Sequence, residues 1–351
     1  MTPTPNQTGV LILAGGRGER FWPWSTDARP KQLLPLARGG RTLLRATFER
    51  ALPLVSGPAS VVVMTSEALR EACARECPGA RVLGEPMMRN TAPAIAAAAS
   101  AFAAGTTFAV LPADHAIDDE AAFAADLRRA AELAGRDAVL VTFGIRPAHA
   151  ETNFGYIQRG GALAPRLHRV ARFKEKPDLA TAEAWFADGA HLWNSGIFVW
   201  RRETFFAALS VRHPEIAALA DFGWSGADAD FGAALRPRFE PLPKISVDYA
   251  VLEGAPNTVV LEAGFDWDDL GSWGAWARRQ ARDERRNVRW GDALPVDCEG
   301  CVVVGDGVLA APLGLKDMVV VATREGVLAC RLDETDRVRQ VSEAVRARAG
   351  A

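Results

Sequence analysis

The stretch that most constrains the fold joins a short apolar run to a loop of small residues near the start of the chain. Residues 10–13 read Val-Leu-Ile-Leu, which is typical of a strand that is buried on both faces. The small residues that follow are Ala14, Gly15, Gly16 and Gly18. Because glycine has no Cβ, such a loop lets backbone N–H groups approach an anion closely. The stretch therefore predicts a buried strand that leads into a phosphate-binding loop.

Two basic residues follow the loop and support its assignment to phosphate binding. Arg20 and Lys31 complete the spacing G-x-G-x-R…P-K, which favours a nucleotide site over an ordinary glycine-rich turn. The pattern differs from two commoner phosphate loops. The Walker-type motif G-x-x-x-x-G-K-[ST] is absent, and Phe21 stands where a dinucleotide fold would have its third glycine.

The order of apolar and helical segments predicts the fold class. Helical patterns over 42–54 and 66–77 alternate with apolar runs at 61–64 and 82–85. This βαβα order predicts a parallel sheet with helices on both faces. An alanine-rich helix follows and is predicted to reach Ala104, with Asn90 or Thr91 as its cap.

The pattern changes from residue 287 onward, where short β-rich stretches are separated by Gly and Asp. Residues 333–348 then form an amphipathic helical pattern. We therefore predict a disordered tail over 1–8, a large α/β domain over 9–280, and a small β domain with a terminal helix over 287–351.

Composition excludes several classes of protein. The 351 residues carry a formal net charge of −2, and this near-neutral balance argues against a nucleic-acid surface. No apolar run is long enough to span a bilayer, and the polar start of the chain does not resemble a signal peptide. Five cysteines, an odd number, favour a reducing cytoplasm without a disulfide framework. Cys298 and Cys301 lack the second pair that a structural zinc site needs.

Acidic residues stand at the ends of two predicted strands. Glu85 ends the run at 82–85, and Asp114 follows the run at 108–111. Ligands of such sheets bind at the carboxyl ends of strands, which favours ligand roles over solvated carboxylates. Asp114 could instead cap the next helix, although Asp118 could serve that purpose.

A second acidic group lies far along the chain, among aromatic residues. Asp266, Asp268 and Asp269 fall within four consecutive positions and would repel one another without a cation. Asp248 is open to two interpretations, a helix cap or a ligand at a sugar site.

Taken in order, these segments resemble the sugar-1-phosphate nucleotidyltransferases, and specifically their mannose-1-phosphate guanylyltransferase branch. The resemblance covers nearly the whole chain. After the opening signature and its Pro-Lys-Gln, the matching motifs are E-P-x-x-R-N-T-A-P-A-I at 85–95, P-A-D-H at 112–115, F-G-Y-I at 154–157, F-x-E-K-P at 173–177, N-S-G-I-F at 194–198, S-V-D-Y-A-V at 246–251 and W-x-D-x-G at 267–271.

The resemblance implies a mostly parallel, Rossmann-like nucleotidyltransferase sheet flanked by helices, with a β-helix-like C-terminal domain. It implies transfer of GMP from GTP to mannose 1-phosphate, with Mg²⁺ as cofactor, in a cytoplasmic homodimer without nucleic-acid or membrane partners. Longer family members continue into an isomerase domain, so we expect the short, monofunctional form. The alternatives are a nucleotidyltransferase for another base or hexose, and an inactive regulatory subunit. A regulatory subunit would be expected to lose Arg20, Lys31 or an acidic metal ligand.

The resemblance also assigns site residues by motif. Catalytic roles fall to Arg20, Lys31 and Lys176, and metal binding falls to Asp114 and Asp269. The nucleotide-binding residues are Leu13, Ala14, Gly15, Gly16, Gly18, Glu85, Asn90 and Thr91. The sugar-binding residues are Gly155, Tyr156, Glu175, Asn194 and Asp248. Because guanine presents two adjacent N–H donors to a carboxylate, Glu85 is our candidate for reading the base.

Overall fold

The computed structural model describes residues 8–16 and 18–349. The tail predicted over 1–8 lies outside the described residues except for Thr8, which is the first residue of a strand. By internal contacts the chain divides into two compact units. Unit 1 comprises the described residues of Met1–Gly15, Thr47–Ala113 and Ile117–Trp267. Unit 2 comprises those of Gly16–Ala46, Asp114–Ala116 and Asp268–Ala351.

Unit 1 contains a sheet to which the described residues contribute nine strands in the order β3-β2-β1-β4-β8-β5-β9-β7-β6. The strands are β1 Thr8–Leu13, β2 Val61–Ser66, β3 Arg81–Glu85, β4 Thr107–Pro112, β5 Leu140–Ile145, β6 Tyr156–Ala164, β7 Leu167–Lys174, β8 His191–Arg201 and β9 Thr258–Glu262. The first four are mutually parallel, because helices connect them. β8 runs antiparallel to β4 and β5, and two residues join β6 to the antiparallel β7. The predicted α/β sheet is therefore present, and it is mixed beyond β4.

The first eight α-helices along the described chain are α1 Leu43–Ala51, α2 Arg70–Glu76, α3 Thr91–Ala99, α4 Glu120–Arg136, α5 Leu179–Asp188, α6 Arg202–Arg212, α7 Pro214–Ala217 and α8 Phe231–Phe239. α3 is buried from its second residue to its last, as expected for alanines that pack closely on a sheet. It ends at Ala99, five residues before the predicted end. The cap of α4 is Asp119, whose side chain accepts a hydrogen bond from Ala122 N, so the prediction of Asp118 is wrong by one residue.

Unit 2 contains a four-stranded sheet, again counted over the residues that the structure describes. Its elements are α9 Trp273–Arg278, β10 Val288–Ala293, β11 Val302–Ala310, β12 Met318–Thr323, β13 Gly326–Arg331 and α10 Val338–Ala349. β10, β11 and β12 pair in parallel, and β13 returns antiparallel to β12. Further parallel bridges join Val296 to Leu313 and Glu299 to Lys316, so successive coils stack as in a β-helix.

The core of unit 2 combines early and late parts of the sequence. Phe21 and Trp24 pack against Trp273 with ring centroids 5.0 and 5.8 Å apart, in one cluster with the valines of β11 and β12. The indole of Trp24 also donates a hydrogen bond to Asp306 Oδ2 at 2.9 Å. Because these early residues are buried with the C-terminal strands, unit 2 includes Gly16–Ala46 and does not simply begin near residue 287.

Among the helices of the described ranges, none combines the length and the apolar character that crossing a lipid bilayer requires.

Candidate active site

The loop after β1 has the backbone that its glycines predict. Gly16 and Gly18 have φ values of 94° and 63°, a region that favours glycine. A Cβ on Gly18 would lie 2.6 Å from Lys31 N and closer still to Lys31 Cβ, so only glycine fits there. A Cβ on Gly15 or Gly16 would meet no atom within 4 Å, which leaves open space beside their backbone.

The start of the loop is held by the sheet of unit 1. Ala14 N donates to Met64 O at 2.8 Å, and Ala14 O accepts a hydrogen bond from Thr65 Oγ1 at 3.0 Å. Leu13 O accepts one from Ala113 N at 3.0 Å. Leu13 and Ala14 therefore anchor the start of the loop, and the nucleotide contact predicted for them stays a prediction.

Lys31 is the centre of a charged cluster in unit 2, and only 9% of its side chain is exposed. Its Nζ donates to Asp114 Oδ2 at 2.8 Å and to the backbone oxygen of Asp269. Burial acts to raise the pKa of Asp114, but the charges of Lys31 and His115 outweigh it and lower that pKa below its usual value. Asp114 is thus held ionised by a buried ammonium group.

Asp269 has the opposite electrostatic balance. Burial raises its pKa to about 6, and the charges of Asp268 and Asp114 add to the rise although Lys31 opposes it. Asp268 Oδ1 accepts a hydrogen bond from Leu270 N at 2.7 Å, which uses this carboxylate to shape the turn. The neighbouring Asp266 accepts bonds from the backbone N–H groups of Asp118 and Asp119, so it holds a segment that is distant in sequence.

The donor set suits a divalent metal that is completed by substrate. Magnesium in phosphoryl-transfer sites is held by one or two carboxylates together with substrate phosphates. The Lys31 ammonium group bonds the carboxylate of Asp114 and the backbone oxygen of Asp269. Burial and charge disfavour ionisation of the Asp269 carboxyl without a further cation. Within the described ranges there is no group of three or more His, Cys, Asp or Glu residues that could hold a metal alone.

A cavity of about 420 Å³ opens beside this cluster, entirely within unit 2. Five predicted residues line it, together with Glu19 and Arg339, to which the sequence analysis gave no role; the five are Gly18, Arg20, Lys31, Asp114 and Asp269. Arg20 Nη1 lies 3.5 Å from Gly271 O at its wall. The structure therefore brings the predicted phosphate and metal residues of unit 2 to one cavity.

A second polar cluster lies in unit 1 and contains four of the predicted sugar residues. Asn194 Nδ2 donates to Asp248 Oδ1 at 2.9 Å, and Asn194 N donates to Gly155 O at 2.8 Å. A Cβ on Gly155 would collide with the Glu175 carboxylate.

Asp248 of this cluster does not cap a helix. Burial raises its pKa to about 6, and the charge of Glu175 adds to the rise. Lys176 Nζ pairs with Glu175 Oε1 at 2.9 Å.

Tyr156 does not join this cluster through its side chain. It is 1% exposed, and its ring packs on Trp185 with centroids 5.2 Å apart. Its hydroxyl accepts a hydrogen bond from Glu151 N at 3.0 Å. The side chain of Tyr156 therefore supports the turn beside Gly155, and its predicted contact with the sugar stays a prediction.

Glu85 stands at the end of β3, as predicted, and its surroundings are unusual for a carboxylate. Its Oε2 is buried without a hydrogen-bond partner, and burial raises the pKa of the side chain to about 7. The loop between Glu85 and α3 is held in place by hydrogen bonds of Asn90 and Thr91. Asn90 caps α3 by accepting a bond from Thr91 N at 2.8 Å, and Thr91 Oγ1 accepts one from Val247 N at 2.9 Å.

Arg89 connects this loop to the end of α8, a segment without a predicted site residue. Its guanidinium donates to the backbone oxygens of Phe239 and Glu240 at the end of α8. The region after β8 therefore positions the Glu85 loop from a distance of 150 residues in sequence.

Two family models match the chain. The nucleotidyl transferase model matches residues 9–286, and a model of the MannoseP isomerase/GMP-like beta-helix domain matches residues 291–344. These matches agree with the α/β sheet of unit 1 and the stacked strands of unit 2, and they confirm the predicted fold class.

Individual relatives agree with the family models. The xanthan biosynthesis protein XanB of Xanthomonas campestris pv. campestris is 39% identical over 346 residues, which cover 95% of this chain and 72% of that protein. The mannose-1-phosphate guanylyltransferase RfbM of Salmonella typhimurium is 35% identical over 344 residues, covering 94% and 71% respectively. A crystal structure from Thermus thermophilus, described as a mannose-1-phosphate geranyltransferase, superposes with a TM-score of 0.84 at 36% identity and covers 97% of this chain and 99% of its own. The chain therefore belongs to the nucleotidyl transferase family, and within it to the group of the mannose-1-phosphate guanylyltransferases.

Proposed function

We propose that this enzyme transfers GMP from GTP to mannose 1-phosphate, giving GDP-mannose and pyrophosphate. The observation that carries the proposal is the Lys31 cluster, in which one buried ammonium group contacts both Asp114 and Asp269 beside a cavity. Such a fixed arrangement of charges suits transfer of a nucleotidyl group, because catalysis there is mainly alignment and charge stabilisation. The name of the Salmonella relative supports the choice of mannose 1-phosphate.

The residues of unit 2 would act on the nucleotide phosphates. Lys31 has three N–H donors, of which two are used by Asp114 and Asp269, so a third is available to the α-phosphate as negative charge develops. Arg20 and the backbone N–H groups of the glycine loop would hold the departing pyrophosphate. Asp114 and Asp269 would hold Mg²⁺, which when bound neutralises charge on the phosphates.

The residues of unit 1 would hold the sugar phosphate. Asn194 and Asp248 offer donors and acceptors side by side, which suits the vicinal hydroxyls of a hexose, and Glu175 adds a further acceptor. Lys176 would bind the phosphate that attacks the α-phosphorus in line. This mechanism needs no covalent enzyme intermediate, so it assigns no role to a Ser, Cys or His nucleophile.

We assign recognition of the base to Glu85. Guanine presents N1–H and the 2-amino group as adjacent donors, and an ionised carboxylate accepts both. Adenine has an acceptor at N1 and would leave the partly buried carboxylate unpaired, which is costly. The unpartnered Oε2 of Glu85 supports this assignment. Because burial raises its pKa to about 7, guanine binding should be linked to ionisation and should weaken as the pH falls below 7.

Replacement of Glu85 by glutamine tests base recognition with little change of shape. Glu85→Gln should lower kcat/KM for GTP by about 10–10³-fold, or about 1.4–4 kcal/mol, and should remove the fall in GTP affinity below pH 7. Inosine triphosphate lacks the 2-amino group and is the matched control, so its kcat/KM should fall less. Equal losses with GTP and inosine triphosphate would show that Glu85 does not read the 2-amino group.

The decisive test of the reaction is pyrophosphate release over a matrix of nucleoside triphosphates and hexose 1-phosphates. We expect the highest kcat/KM for GTP with mannose 1-phosphate, by at least about tenfold over other pairs. A higher value for another pair would identify a different nucleotidyltransferase. Absence of release with every pair would favour a regulatory subunit.

We also propose a cytoplasmic homodimer. The five cysteines lie among the described residues and are thiols outside any disulfide, which suits a reducing compartment. Light scattering of the purified protein would measure the oligomeric state.

A further inference from the structure

The C-terminal helix α10 contributes a cation to the cavity of about 420 Å³ in unit 2. Arg339, its second residue, lines this cavity together with Arg20 and Lys31. About 60% of its side chain is exposed, so the guanidinium is not fixed by packing. Its Nε lies 3.3 Å from Glu19 Oε2 and 2.9 Å from Glu343 Oε1. All of these groups belong to unit 2.

The charges that line the cavity leave little to attract a triphosphate. Its described lining has three cations, and it also has three carboxylates in Glu19, Asp114 and Asp269. Lys31 already donates two of its N–H groups to Asp114 and Asp269. In addition to the proposed Mg²⁺, a ligand with several negative charges therefore gains from a cation that can be released from its present acidic partner.

The partners of Glu19 allow that release. Glu19 is paired with two arginines of α10, because Arg346 Nη1 bonds Glu19 Oε1 while Arg339 approaches the other oxygen. If Arg339 turns away, Arg346 still compensates the Glu19 charge, so no carboxylate is left unpaired. Glu343, the second partner of Arg339, has a side chain that is 54% exposed and can be solvated by water.

We propose that Arg339 is a phosphate-binding residue of this enzyme and takes the terminal phosphates of the nucleotide, the part that leaves as pyrophosphate. In this inference the guanidinium exchanges Glu19 for phosphate oxygens, which its planar fork can bind in a bidentate manner. The inference rests on the proposed nucleotidyl transfer and adds a residue that lies outside the motifs of the sequence.

Pyrophosphate binding to the full chain tests this directly. We expect Arg339→Ala to raise the calorimetric Kd for magnesium pyrophosphate about tenfold, as for loss of one charge-assisted contact. It should raise KM for GTP similarly and leave KM for mannose 1-phosphate within about twofold. Arg339→Lys should recover part of the loss. Arg348→Ala removes the same charge from an exposed position of the same helix and is the control, with no expected change.

A structural role for Arg339, acting only through Glu19, predicts a different pattern. In that case Glu19→Gln should weaken pyrophosphate binding as much as Arg339→Ala does. Our inference predicts that Glu19→Gln binds pyrophosphate at least as tightly as the unaltered enzyme, because Arg339 is then released. Equal weakening by the two variants, or wild-type affinity in Arg339→Ala, would overturn the inference, as would an unaltered enzyme that does not bind pyrophosphate.

The same measurement separates this inference from the proposed function. Magnesium pyrophosphate contains neither base nor sugar, so its binding does not depend on the identity of either substrate. Tenfold weaker binding in Arg339→Ala, in a protein that makes no GDP-mannose, would support the inference and contradict the proposed function. Unchanged pyrophosphate binding in an Arg339→Ala variant that still makes GDP-mannose would contradict the inference and support the proposed function.

Discussion

Both units contain a lysine beside carboxylates, and the two lysines differ in how firmly they are held. Lys31 in unit 2 has 9% of its side chain exposed and contacts two residues that are 83 and 238 positions away in sequence. Lys176 in unit 1 has 62% exposed and pairs with its neighbour Glu175. The first arrangement fixes a charge before substrate arrives, as electrostatic catalysis requires. The second leaves a cation that can follow the substrate, at little cost in protein stability when it moves.

The comparison predicts the largest loss where the fixed cluster would hold its metal. Asp114→Asn and Asp269→Asn should each lower kcat by about 10³-fold or more, because each removes a carboxylate ligand of the proposed ion. Their effects should be strongly non-additive in the double variant, since both act through one ion. Steady-state kinetics over a range of Mg²⁺ concentrations would measure this, and excess Mg²⁺ should partly restore the single variants.

Independent action of the two carboxylates would give a different result. The losses of the single variants would then multiply in the double variant, and the shared metal site would be disproved. Asp266→Asn is the matched control, because this neighbouring carboxylate bonds the backbone N–H groups of Asp118 and Asp119. Its variant should lose stability and keep its dependence on Mg²⁺.

Removal of the buried lysine should affect both chemistry and folding. Lys31→Ala should lower kcat by about 10²–10³-fold, as expected for loss of one preorganised electrostatic donor. It should also lower the free energy of unfolding by about 1–2 kcal/mol, because Asp114 then loses its ammonium partner. Kinetics and urea denaturation would measure the two effects. An unchanged kcat would remove Lys31 from the mechanism.

Removal of the exposed lysine should affect substrate binding alone. We expect Lys176→Ala to raise KM for mannose 1-phosphate about tenfold, as for one charge-assisted contact with phosphate. Its unfolding free energy should stay within about 0.5 kcal/mol of the unaltered enzyme, since the side chain is mostly solvated. Urea denaturation of both lysine variants tests the comparison itself. Equal destabilisation would show that exposure does not distinguish the two clusters.

The sequence predicted the elements and residues whose signal is local. Buried parallel strands are continuous apolar runs, so the sequence predicts 61–64 within β2. Gly18 is predicted because glycines cluster in the loop after the first strand, and the structure shows that no other residue fits there. The end of α3 and the cap of α4 were misplaced, because helix boundaries depend on bonds that form only in the folded chain.

Contacts over long sequence separations were not predictable in this way. Trp24 and Asp306 are 282 positions apart, and Glu19 and Arg346 are 327 apart, so no local pattern connects them. The amphipathic pattern of the terminal helix predicted no functional role for its charged face. A signal was present nevertheless: Arg339, Glu343 and Arg346 are spaced four and three residues apart, which places all three on one face of a helix.

The smallest expected effect is a pH dependence of substrate binding that differs between the Asp114 and Asp248 clusters. The pKa of Asp114 lies below its usual value, whereas burial and Glu175 raise that of Asp248 to about 6. From pH 7 to pH 5 the ionised fraction of Asp248 should fall from roughly nine-tenths to about one-tenth. The protonated form accepts hydrogen bonds from sugar hydroxyls less strongly, so KM for mannose 1-phosphate should rise by about three- to tenfold.

The sugar phosphate complicates this experiment, because the second pKa of a phosphate monoester also lies near 6. Asp248→Asn provides the baseline, since it keeps the size of the side chain and cannot titrate. With GTP and Mg²⁺ saturating, any pH dependence of KM that remains in this variant belongs to the substrate. The difference between the two profiles then reports Asp248 alone and should show an apparent pKa of about 6. Identical profiles would mean that Asp248 does not contact the sugar in its ionised form, and its bond to Asn194 would then be structural.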